Sequence, residues 1–223
     1  MTTESLSCEL SESDLISHID CSALEQVAVA AYLEQIQKCD RFLKRARSIA
    51  SVESFKADSK HELIYLQLLR AAESFGQGLM VCNEMDYKSV SKTASPRNRL
   101  TKAFDQIDSV NPNFFPLASD PSLRGAHGTN KDQSSIRSAL TRQGLLDLAT
   151  KAEWLLFAQM PLGVNLFRLP KLTPEEWITR FGKLLGNHVL TMLNGTQYQV
   201  TTNLNGSATA LAIVVSKDFD KFS

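Results

Sequence analysis

The chain has 223 residues, 43% of them hydrophobic and 22% charged, which suits a soluble protein with a packed core. Its 24 basic and 24 acidic side chains cancel, so overall charge selects neither a polyanionic nor a polycationic partner. No apolar run reaches membrane-spanning length, and "MTTESLSCELSESDL" lacks the basic start and apolar middle of a secretory signal. A cytoplasmic protein with no membrane partner is expected.

Ser22-Ala-Leu-Glu25 has the spacing of a capping box, whose side chains satisfy the unpaired N–H groups at a helix start. Beyond it, Val29, Tyr32, Ile36, Cys39, Leu43, Ala46 and Ala50 recur in steps of three and four. That spacing predicts one long helix over about 22–50 with a single apolar seam. "SVESFKAD" interrupts it. Ser59-Lys-His-Glu62 repeats the capping-box spacing, and a second seam follows through Tyr65, Leu68, Ala72, Phe75, Leu79 and Cys82. The two helices should form an antiparallel hairpin whose apolar faces need further helices, or a second copy of the chain, to cover them.

Ser95-Pro96 predicts the start of a third helix through Leu100, Phe104 and Ile107, ending before Asn111-Pro112. Residues 111–139 hold three prolines and two glycines among small polar side chains and are expected to be a long loop. Helical pattern resumes at Thr141 through Leu145, Leu148, Ala152 and Leu155, and "MPLG" ends it near 159. Thr173-Pro-Glu-Glu176 opens a last helix containing Trp177, Phe181, Leu184 and Leu185. "HVLTML", "TQYQVTTN" and "SATALAIVVS" then read as strands, separated by Asn194-Gly195 and Asn205-Gly206, the hairpin pair whose residues both accept positive φ. The expected fold is α+β, mainly α. A helical bundle over 1–187 carries a three-stranded antiparallel meander over 188–216, the whole forming a single domain.

The sequence "DPSLRGAHGTNKDQSS" puts Arg124 and His127 in the predicted loop. A histidine beside an arginine can supply acid/base catalysis and transition-state charge stabilisation, as metal-independent RNA cleavage requires. Asp120 or Asp132 could orient the imidazole, and Gly125 and Gly128 would admit a ligand close to the backbone. His188 falls at a helix-to-strand junction and is expected to bond a backbone carbonyl, while His18 and His61 look incidental.

Other chemistries lack their residues. There is no G-x-S-x-G, no phosphate-cradling glycine loop and no H-E-x-x-H. Cys8, Cys21, Cys39 and Cys82 form no CxxC or Cys/His cluster, so reduced thiols are expected, with neither metal nor cofactor. Charge is nevertheless segregated along the chain. Lys38, Arg41, Lys44, Arg45 and Arg47 crowd the end of the first helix. Lys88, Lys92, Arg97, Arg99 and Lys102 run without an acidic residue between Asp86 and Asp105. If the two stretches meet in space they form a phosphate-binding surface, although base-stacking aromatics do not punctuate them.

From residue 111 onward the order "NPNFFP", "ALTRQGLLDLATKAEWLLFAQMPLG", a Trp helix ending "LLGNHV", and "ALAIVV" resembles an uncharacterised family of bacterial helical proteins. The helical hairpin is also similar to HEPN-type bundles, many of them RNA-linked and tied to defence or toxin systems. The HEPN nuclease signature places four to six residues between an arginine and a histidine. Here two separate Arg124 from His127, and seven separate Arg180 from His188. The resemblance therefore implies a non-catalytic role. The expected function is an interaction protein, binding RNA or a protein partner and pairing with itself as a homodimer. The alternative is a metal-independent ribonuclease using Arg124 and His127.

Overall fold

The computed structural model describes residues 23–53, 57–85, 99–119, 138–157, 171–202 and 208–213. They form five helices and one antiparallel sheet, so the fold is α+β and mainly α. The helices are α1 (Ala23–Ser51), α2 (Ala57–Cys82), α3 (Arg99–Asp108), α4 (Arg142–Phe157) and α5 (Pro174–Gly186). The strands are β1 (Leu117–Ala118), β2 (Asn187–Thr191), β3 (Gln197–Thr202) and β4 (Ala208–Ile213), hydrogen-bonded in that order.

The three-and-four spacing becomes the core. Tyr32, Ile36, Cys39, Leu43 and Ala46 of α1 are buried against Tyr65, Leu68, Ala72, Phe75 and Leu79 of α2. The seam is thus covered inside one chain, and any self-association would draw on another surface. Two glycines set how closely the neighbours of α2 approach. A Cβ on Gly78 would lie 3.0 Å from the Tyr32 ring of α1, and one on Gly76 would collide with Leu100 of α3. Residues two apart point to nearly opposite sides of a helix, so α2 runs between α1 and α3.

The last helix follows its sequence signal. Thr173 Oγ1 accepts from the Glu176 N–H at 3.2 Å, and the Glu176 carboxylate accepts from the Thr173 N–H at 2.7 Å. That reciprocal cap, with Pro174 at the first helical position, starts α5, which buries Trp177, Ile178, Phe181, Leu184 and Leu185. Then α5 passes directly into β2, and the sheet packs on α1 and α5. In the sheet, His188 lies opposite Ala118 on one side and Val200 on the other.

Four expectations are corrected. The sheet has four strands, not three, because Leu117 and Ala118 pair with Val189 and His188 from within the predicted 111–139 loop. Phe114 and Pro116 of that segment are buried, and the Phe114 and Phe115 rings stack edge-on with each other and with Phe104. Aromatic burial, hidden among turn-forming residues, ties Phe114, Phe115 and Pro116 to the core, while Pro112, Asn113 and Leu117 stay exposed. Ser59 lies inside α2, which begins at Ala57, so Ser59-Lys-His-Glu62 is not the cap. At the β2–β3 hairpin only Gly195 has positive φ, at 85°. Its N–H closes a turn on the Met192 carbonyl, with Leu193, Asn194 and Gly195 as a three-residue loop, which requires positive φ at the glycine alone. The expected signals at Ser95-Pro96, "MPLG" and Asn205-Gly206 lie outside the described residues.

Candidate functional site

The helical repeat that buries one face of α1 turns its cations to the other. Lys38, Arg41 and Arg45 follow at steps of three and four and share the outer face, with Lys44 beside them. Two of these are neutralised within the helix: Lys38 bonds Glu34 at 2.8 Å and Lys44 bonds Asp40 at 2.7 Å. The Glu34 carboxyl is held below its ordinary range by the hydrogen bond and charge of Lys38, with a smaller contribution from Arg41. Arg41, Arg45 and Arg47 are exposed and make no ion pair among the described residues. Arg47 lies on the flank, its guanidinium against Gly182 of α5.

Phe42 is the residue that sequence reasoning passed over. It sits between Arg41 and Arg45, partly buried against the core, and the Arg45 guanidinium carbon lies 5.8 Å from its ring centroid. An aromatic ring therefore does interrupt this basic stretch. The signal was present in "DRFLKRAR", but the helical seam did not tell whether Phe42 joined the core or the surface. It borders both.

The second basic stretch is placed differently. Arg99 and Lys102 lie on α3, on the far side of α2 from α1, and Arg99 faces Glu73 of α2. Burial raises the Glu73 carboxyl above its ordinary value, opposed by Arg99 and Arg70. Lys88, Lys92 and Arg97 lie outside the described residues, as do Arg124, His127 and His18.

His188 is wholly buried and bonded at both ring nitrogens. One contact runs to the Leu184 carbonyl at 3.0 Å and the other to the Tyr32 hydroxyl at 2.8 Å. A carbonyl only accepts, so Nδ1 carries the proton and Nε2 accepts from Tyr32. Burial pushes the imidazole down to about 4, so it is neutral near pH 7. This is the backbone-bonding histidine expected from sequence, and it offers no proton to a ligand.

Cys39 and Cys82 are buried free thiols, raised by burial and bonded to the carbonyls of Ala71 and Ala28. Among the described residues no three of His, Cys, Asp and Glu gather to hold a metal. No described helix is long and apolar enough to cross a membrane. A cavity of about 150 Å³ lies between α1, the end of α2 and the β2–β3 hairpin, lined by Glu25, Ala28, Cys82, Glu84, Met192, Leu193 and Asn194. Its Glu25 carboxylate accepts from Tyr198 and Asn194, each at 3.0 Å, tying α1 to the hairpin. No family model, curated protein or solved structure matches this chain.

Proposed function

We propose that this protein is a non-catalytic interaction protein that binds RNA through the outer face of α1. The observation that carries the reading is the pair of exposed arginines on that face, Arg41 and Arg45, which lack ion pairs among the described residues while the neighbouring lysines are neutralised. Guanidinium groups match phosphate oxygens with two parallel hydrogen bonds, and each phosphate they neutralise releases counterions.

On this reading the likeness to HEPN-type bundles is one of scaffold, with the nuclease chemistry absent. The test incubates the full chain with RNA and no added metal, on native and denaturing gels. Intact RNA should shift, and the shift should weaken as salt rises and in the Arg41→Glu/Arg45→Glu double variant. Cleavage abolished by His127→Ala would instead establish the ribonuclease. A shift unaltered by the double variant would remove α1 from the interface. With neither shift nor cleavage, the partner to seek is a protein.

A further inference from the structure

We infer that the nucleic acid taken by this face is single-stranded, with an unpaired base stacking on the Phe42–Arg45 pair; the inference rests on the RNA-binding reading above. Two observations carry it. The first is electrostatic thinness. With Lys38 and Lys44 neutralised by Glu34 and Asp40, the outer face of α1 offers Arg41 and Arg45 to phosphates, Arg47 being turned to the α5 flank. On a single strand, two phosphate contacts give a salt slope of only about −1.4, weak by the standard of proteins that hold a duplex by its backbone. Affinity from this face therefore needs a contribution besides charge.

The second observation supplies it. Phe42 packs partly on the core, which fixes the ring, while the exposed Arg45 guanidinium lies 5.8 Å from its centroid. A planar, delocalised cation held over an aromatic ring presents its outer plane as a stacking surface for bases, and stacking is indifferent to base identity. Duplex RNA cannot use it, because its bases are already stacked and its major groove is too deep and narrow for side chains to enter. Single strands and loops present base faces. Arg41 lies one turn away on the same side of α1 and would hold the neighbouring phosphate.

The experiment measures binding of the full chain to a short labelled unstructured RNA and to a duplex of equal length, across a salt series. The single strand is expected to bind about tenfold more tightly, the scale of one base–aromatic contact. Phe42→Leu keeps apolar packing on the core and should lose about tenfold on the single strand, little on the duplex, with an unchanged salt slope. Arg45→Lys keeps the charge without the plane and should move the same way, which covers the case of a Phe42→Leu chain that fails to fold. Equal affinity for both RNAs, with both variants unaffected and Arg41→Ala still weakening them, would overturn the stacking inference and leave phosphate binding standing. Failure to bind either RNA would overturn both.

Discussion

Tyr32 donates its hydroxyl hydrogen to Nε2 of His188 at 2.8 Å, joining α1 to the junction of α5 and β2 across 156 positions of sequence. The rings also meet edge-on, with centroids 5.9 Å apart. Nδ1–H is engaged by Leu184, so the imidazole has no free nitrogen to accept a proton without reversing the Tyr32 bond. Reversal would leave the tyrosine hydrogen in need of another buried acceptor. The geometry therefore favours neutral histidine, in the same direction as burial.

Stability should consequently depend on acid. An unfolded histidine titrates near 6.5, and His188 in the fold is pushed down to about 4. Between those values the unfolded chain binds the extra proton. The contribution is thus complete above about pH 6.5 and is lost as pH falls toward 4, a difference of about 3 kcal/mol. Urea midpoints measured from pH 7.5 to 4 should fall more steeply for the native chain than for His188→Gln. Parallel slopes for the two chains would show that His188 does not titrate on unfolding.

Tyr32→Phe isolates the hydroxyl. It keeps the ring in the core and leaves Nε2 a buried acceptor without its donor, which should cost about 2 kcal/mol near neutral pH. The loss should shrink as pH falls toward 4, where the neutral-imidazole bond is already being given up. A loss that stays constant over that range would trace to packing.

How far the sequence could be read follows from what each signal requires. The α1 and α2 seams and the Thr173–Glu176 cap were legible because local spacing alone determines them. The burial of Phe114 and Pro116 and the pairing of β1 were not, since two phenylalanines and a two-residue strand act through partners elsewhere in the chain. The same limit applies to the candidate site. Its arginines were visible as a run, whereas pairing of the lysines, placement of Phe42 and separation of α1 from α3 by α2 depend on packing.

Asn111 anchors that segment. Its amide donates to Asn83 Oδ1 at 2.8 Å and the Thr191 carbonyl at 3.1 Å, while its own oxygen accepts from the Asn113 N–H. Asn83 in turn donates to the Leu79 carbonyl at 2.7 Å. Asn111→Ala strands the buried Asn83 Oδ1 and the part-buried Thr191 carbonyl and should cost about 2 kcal/mol, read as a lower urea midpoint at unchanged slope. Asn111→Asp should be worse, because its carboxylate would face oxygens at both contacts.

Glu84 occupies the left-handed region, at φ 57°, where α2 ends. The Met85 N–H reaches back to the Met80 carbonyl at 2.9 Å, the arrangement in which glycine is the usual residue. A side chain there costs roughly 1 kcal/mol, and a glycine would recover only part of it because its unfolded chain is freer. Glu84→Gly should raise stability by about 0.5 kcal/mol, seen as a small increase in melting temperature. A decrease would mean that the Glu84 side chain contributes more than its backbone costs.

Two glycines in helices should respond to alanine with opposite signs. Gly186 ends α5 with open space where a Cβ would go, so Gly186→Ala gains helix propensity and should stabilise by about 0.5–1 kcal/mol. Gly76→Ala gains the same propensity, but its methyl meets Leu100, whose side chain is buried on α3. Displacing a packed leucine costs about 1–3 kcal/mol, more than propensity returns. The decisive variant combines Gly76→Ala with Leu100→Ala, which removes the obstacle: the penalty of the glycine change should vanish in that background if close contact between α2 and α3 is its cause. A penalty that persists there would place the strain elsewhere on α2.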